Sequence, residues 1–239
     1  MKIAIHQPNF FPWLGYFEKI NKSEKFVFMD DVAVPKSGKG SWLNRVKLII
    51  DGKPSWVTCP YIHEHGEQII RDVKIDYSQG WQKKIERTID SYYRKAPFYE
   101  EVIEVILNGI YRKIEFLSEY NIQNIKYICS KIGITKEFIF QSNLENINSS
   151  STQQLIDIVK NVGGDTYICG GGASGYQEDE LFKKSGVDLE YQNFVHPEFN
   201  QIGSNQFIAG MSIIDVLFNN GFEETNKIII GKSNFLYGE

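Results

Sequence analysis

The sequence predicts an α/β fold: a Rossmann-like, mostly parallel sheet with a β-hairpin and a helical insertion. Three observations predict it. Short apolar runs of strand composition alternate with helical segments near the start of the chain. The same alternation returns near its end. Between the two, from Gln79 to Gly133, the pattern is helical throughout. Strand–helix–strand alternation builds parallel sheets, and the middle helices then form an insertion or cap.

The elements follow in order. "KIAI" reads as a short buried strand, "LGYFEKINKS" as a short helix, and "KFVFMDD" as a second buried strand ending on two aspartates. "PKSGKGSW" is a loop. "RVKLIIDGKPSWVTCP" is a hairpin, two β-rich arms around Asp51-Gly52. Trp81, Ile85, Ile89 and Tyr92 recur at helical spacing, and Pro97 separates that helix from the next. "IEFLSEYNIQNIKYICSKIG" is a third helix, closed by Gly133. "FIFQS" returns to strand. "STQQLIDIVKNVGG" is a helix with Leu155, Ile158 and Val162 on its apolar face and Gly163 as its stop. "TYIC" is a strand, "GGGASGY" a loop, "EDELFKKSG" a short helix, "VDLEY" a strand and "MSIIDVLFNNG" a late helix. The expected organisation is a single α/β domain over 1–239 with a helical insertion at about 79–133.

Composition narrows the function. Hydrophobic residues make up 42%, enough for a sizeable core, and the 14% aromatic content suits a small-molecule pocket. The net charge is −4, with basic residues scattered, so a DNA-binding surface is not expected. Cys59, Cys129 and Cys169 are far apart and no CxxC occurs, which argues against disulfides and structural zinc and for a reducing cytoplasm. The N-terminal apolar run is too short for a signal peptide, and no run of eighteen apolar residues spans a membrane. The expected location is cytoplasmic. Whether copies of the chain assemble into a homo-oligomer stays open.

In parallel α/β folds, ligands bind beyond the carboxyl ends of the strands. Polar segments fall at such ends. His6, Gln7 and Asn9 follow the first strand, where Pro8 and Pro12 fix the backbone and Trp13 and Tyr16 offer flat faces for a ring or sugar. Asp30 and Asp31 follow the second; paired carboxylates there can hold Mg2+, bind a substrate amine or act as general base. Asn44 and Arg45 supply hydrogen-bond donors, the guanidinium being suited to phosphate or carboxylate. Gly170, Gly171, Gly172, Ser174, Gly175 and Tyr176 form a loop matching G-x-G-x-x-G, with Glu190 twenty residues beyond Gly170. The helix after it opens on acids that would repel a pyrophosphate, so NAD is not favoured and a generic anion or substrate loop is. His196, held extended by Pro197, can act as acid, base or ligand. Gln201 lies further along the same loop. "HEH" at 63–65 reads as an exposed loop, and no metal site is assigned. Asp215, on an apolar helix, is expected either to be partly buried and paired or to point into a cavity. "FPWLGY" echoes the P-x-H-x-G-H of nucleotidyl-transfer loops, with Trp13 and Tyr16 where imidazoles should stand.

Together "HQPNFFPWLGYFEKI", "FVFMDDV", "NRVK", "TYICGGGASGY", "HPEFNQ" and "MSIIDVLFNNG" resemble the WbqC-like family, in the family's order, from residue 5 to residue 221. The family generally reads Leu-Ser-Gly where this chain has Ile168-Cys169-Gly170. The resemblance implies a place in O-antigen or other surface-polysaccharide biosynthesis. It also implies glycyl-like aminoacyl or acyl transfer onto a nucleotide-linked amino sugar. Such chemistry needs an activated acyl group, as an adenylate made with ATP and Mg2+ or as a thioester such as acyl-CoA. It needs a base for the sugar amine, with His6, Asp30 and Asp31 as candidates. It needs donors for the oxyanion, from the Gly170–Gly175 amides or Asn44 and Arg45. Two alternatives remain open: nucleotidyl transfer or other sugar-nucleotide modification, and a non-catalytic subunit that binds a sugar nucleotide.

Overall fold

Apolar residues that alternate between two covered faces define the central sheet. The computed structural model describes residues 1–35, 42–170 and 178–233. Its strands are β1 (Lys2–His6), β2 (Lys25–Phe28), the hairpin arms β3 (Arg45–Ile50) and β4 (Lys53–Thr58), β5 (Glu137–Phe140), β6 (Thr166–Cys169) and β7 (Asp188–Tyr191). The helices are α1 (Leu14–Lys22), α2 (Trp81–Tyr93), α3 (Tyr99–Ile110), α4 (Leu117–Lys131), α5 (Ser151–Asn161), α6 (Asp179–Lys184) and α7 (Ile213–Ile229). The five-stranded sheet has the order β5-β2-β1-β6-β7, with every neighbouring pair parallel. The hairpin is a separate antiparallel pair. The α/β class, the parallel sheet and the hairpin are thus all present.

Strand alternation sorts the core. Ala4, Phe26, Phe28 and Ile168 face one side, with α1, α2, α3, α4 and α7. Ile3, Ile5, Val27, Tyr167 and Cys169 face the other, with Ile156 and Val159 of α5 and Phe182 of α6. Both faces are covered, which is why the strands read as unbroken apolar runs. The hairpin turns through Asp51 (φ 51°) and Gly52 (φ 72°), the paired left-handed residues of a type I′ turn.

Three readings need correction. In α2 the buried residue completing Trp81, Ile85 and Ile89 is Tyr93, and Tyr92 is half-buried, because the stripe advances by four residues at that point. In α5 the buried face is Thr152, Ile156, Ile158 and Val159, with Leu155 half-buried. The last helix does not end at Gly221. That glycine has φ 69° and ψ −176°, so it kinks the chain, and the helix resumes to Ile229.

Asp215, 0% exposed in the first turn of α7, is buried and paired. Its Oδ1 accepts from the Tyr93 hydroxyl (2.9 Å) and its Oδ2 from Gln201 Nε2 (2.8 Å). Burial pushes its carboxyl up to about 6, against the pull of those two donors. Tyr93 also accepts from the Ile49 amide (2.9 Å), so one network joins β3, α2, α7 and the loop before it.

Candidate functional site

The strand order reverses direction at β1. Chain order runs from β1 to β2 and β5 on one side, then to β6 and β7 on the other. The crevice at the carboxyl ends of β1 and β6 is therefore the topological switch point, where such folds bind ligands. β1 stays paired with β2 through His6–Phe28, but its ladder with β6 ends at Ala4–Ile168. Beyond that point lie His6, the last residue of β1, and Gly170, the first residue after β6.

The segment after β1 is pinned from several directions. The Pro8 carbonyl accepts from Asn121 Nδ2 (2.9 Å), and the Phe10 amide donates to the Trp42 carbonyl (2.9 Å). The Phe11 carbonyl accepts from Ser212 Oγ (2.8 Å), and the Pro12 carbonyl from the Ile213 amide (2.8 Å). Phe11 takes a left-handed φ of 37°, a strained value for a bulky residue and of a kind that gathers at functional sites. Phe10 and Phe11 are core. Tyr16 is 1% exposed, so its ring has no open face, and its hydroxyl donates to the Gln7 carbonyl (2.9 Å).

His6 is half-buried, its ring centroid 4.8 Å from Tyr16 and 5.7 Å from Trp13, both edge-on. Its Nδ1 lies 3.1 Å from the Gln7 carbonyl. A carbonyl can only accept, so Nδ1 carries the proton and Nε2 is the bare nitrogen. Among the described residues Nε2 has no hydrogen-bond partner. Burial, aided by the Lys19 charge, pushes the imidazole down to about 3, against the Gln7 contact, which favours the protonated form. Asn9 is 3% exposed, yet its carboxamide has no hydrogen-bond partner among the described residues, and neither has that of Gln7. Three polar side chains at one strand end are thus uncommitted.

Several of the other predicted residues are committed. Asp30 accepts from the Ser142 amide (2.9 Å) and hydroxyl (2.7 Å), tying the end of β2 to the turn after β5. Asp31 pairs with Arg71 at 2.8 Å. Asn44 donates to the Cys59 carbonyl (3.0 Å) at the root of the hairpin. Gln201 spends its carboxamide on Ile208 and Asp215. Glu190, the acid of the glycine-rich fingerprint, pairs with Lys2 at 2.6 Å. His63 and His65 are exposed. Gly171, Gly172, Ser174, Gly175 and Tyr176 lie outside the described residues; Gly170 is described, and a Cβ there would meet nothing within 4 Å among them.

His196 belongs to the loop after β7, its ring 4.8 Å from that of Phe194. Burial lowers its pKa. Phe194 in turn presses on α1: a Cβ on Gly15 would lie 2.7 Å from Phe194 Cδ1 and 3.0 Å from Trp13 Nε1. The loop thus reaches the same aromatic wall as His6.

Two features escaped the sequence reading. The wall continues from Trp13 to Trp42 (5.1 Å) and Trp56 (5.2 Å), and Trp56 is 40% exposed under the Arg45 guanidinium (4.5 Å). The other is Lys19, 4% exposed, whose Nζ donates to the Ile5 carbonyl (2.9 Å). Its helical position was the available signal: three residues after Tyr16 and one before Ile20, it falls on the buried face of α1.

Comparison with known proteins bears on this site. No solved structure matches the chain. It is similar to an uncharacterized protein of Mycobacterium tuberculosis, 27% identical over 226 residues that cover 93% of this chain and 95% of that protein. The model of the WbqC-like protein family matches residues 7–227, which begin just after His6 and take in the hairpin, helices α1 to α6 and most of α7. The chain belongs to the WbqC-like protein family.

Proposed function

We propose that this protein transfers an activated acyl or aminoacyl group, glycyl-like in size, to the amine of a nucleotide-linked sugar. The amide so formed serves O-antigen or another surface polysaccharide, and the reaction is cytoplasmic. The observation that carries the reading is His6: a neutral imidazole at the switch point, with Nδ1–H fixed on a carbonyl and Nε2 uncommitted. Among the described residues no helix is long and apolar enough to cross a membrane.

In this reading the amine attacks the acyl carbon, and His6 Nε2 takes the proton that the nitrogen sheds. The bond from carbon to the activating group breaks, and the proton passes to that leaving group. The bound substrate's negative charge lifts the imidazole from its low value toward the range where a base is effective. Asn9 and Gln7 supply amide N–H donors to the tetrahedral oxyanion, and Trp13 walls the sugar. The acyl group arrives already activated, as an adenylate or a thioester.

The test is mass spectrometry of a nucleotide-linked amino sugar incubated with the protein and either preformed glycyl-adenylate or an acyl-CoA. The expected product carries the added acyl mass, and His6→Gln lowers kcat by about 10²- to 10⁴-fold. An unchanged rate in His6→Gln, or no product with any donor, refutes the proposal. Tight binding without turnover would instead mark a non-catalytic subunit.

A further inference from the structure

We infer that Lys19 anchors an anionic group of the substrate, the diphosphate of the sugar nucleotide, in the cleft where β1 and β6 part. This deepens the functional reading above and rests on it for the nucleotide.

Backbone alternation fixes where Lys19 reaches. The Lys2 and His6 carbonyls accept from the Glu24 and Met29 amides, on the β2 side. The Ile5 carbonyl therefore points toward β6. The β1–β6 ladder has already ended at Ala4, and Lys19 Nζ takes that carbonyl instead. The ammonium thus sits at the β6-facing edge of β1, 2.9 Å from the Ile5 carbonyl and 5.6 Å from the Tyr167 ring centroid.

Among the described residues no carboxylate answers its charge. Burying an ammonium is unfavourable unless an anion answers it. The adjacent acid does not: Glu18 pairs with Lys22 (2.5 Å) and accepts from Gln192 (2.6 Å). Among the described residues no carboxylate lies within ion-pair distance of Lys19, and its one hydrogen bond uses a single one of three N–H donors. Propping one carbonyl needs only a neutral donor; a full positive charge at that place is explained by an anion that binds there. The space over Gly170 is open among the described residues, and the first turn of α1 carries no acid to repel such a ligand. A diphosphate brings more charge than the single carboxylate of an amino-acid donor, and so answers a buried cation better.

The test is calorimetric binding and thermal shift on the full chain with inorganic pyrophosphate, UDP, uridine and glycine as probes. Pyrophosphate and UDP are expected to bind and raise Tm, with uridine and glycine inert. Lys19→Met, which keeps the apolar stem, is expected to weaken pyrophosphate and UDP at least tenfold, and Lys19→Arg to retain them. Burial lowers the Lys19 ammonium to about 8 in the free protein, so wild-type UDP affinity should fall about tenfold per pH unit above that value. This arm stands even if Lys19→Met does not fold. Wild-type affinity for pyrophosphate in Lys19→Met, a flat profile between pH 7 and 10, or no wild-type response to pyrophosphate overturns the inference. A response to glycine alone assigns the cation to the acyl donor and overturns the diphosphate. No assay here reads amide formation, so anion binding without acyl transfer would sink only the functional reading.

Discussion

His6 and Lys19 show how one residue's environment sets another's charge. Both are ionisable and sheltered, and the Lys19 charge disfavours the protonated form of His6. The consequence for stability has a definite sign. Between about 3 and 6.5 the unfolded chain binds a proton on His6 that the folded chain refuses. The folded state therefore loses stability as pH falls from 6.5, by up to about 1.4 kcal/mol per pH unit. His196, also lowered, acts in the same direction. Asp215 acts oppositely, since its raised carboxyl takes up a proton in the folded state between 3.8 and about 6. The His6 share is isolated by subtraction: in urea titrations from pH 7 to pH 5, wild type should lose about 2 kcal/mol more than His6→Gln. Equal losses would contradict a neutral imidazole in the folded state.

Among the elements, α7 holds the loop after β1 in place. Its N-cap Ser212 accepts from the Ile214 amide and donates to the Phe11 carbonyl, and the Ile213 amide holds Pro12, so the helix start fixes the loop that carries the candidate site. Its middle breaks at Gly221, whose φ and ψ belong to a region that is essentially glycine's alone. A Cβ there would also stand 2.6 Å from Phe98 Cδ1. Gly221→Ala is expected to cost about 3 kcal/mol of stability, read as a lowered urea midpoint with an unchanged slope. A loss below about 0.5 kcal/mol would mean that the kink is not held by this glycine.

Across the whole molecule, the sheet and hairpin were legible because short buried strands and a left-handed two-residue turn leave direct marks: "KFVF", "TYIC" and Asp51-Gly52. The crevice was legible because strand ends follow from strands, so His6, Gln7 and Asn9 could be named. What the sequence could not supply was which polar groups are spent. Asp30 looks like a catalytic acid until Ser142, more than a hundred residues away, claims both its oxygens. Lys19 looks like an ordinary helix lysine until the fold buries it. The signal for Lys19 was its place on the buried face of α1, whereas the Asp30 contact joins distant segments, which periodicity does not encode. The same distance hid the run from Trp13 through Trp42 to Trp56.

The register that sets Lys2 beside Thr166 has a consequence for biogenesis. The first strand leaves the ribosome long before the strand that covers its second edge has been translated. At about 5–20 residues per second that wait is roughly ten to thirty seconds, with Ile3 and Ile5 still lacking the cover of Ile156 and Phe182. Nascent chains stalled at residue 160 should be cut by protease within the first thirty residues. Chains released at full length should resist. Resistance already present in the stalled chains would show that the amino-terminal half closes its core without waiting.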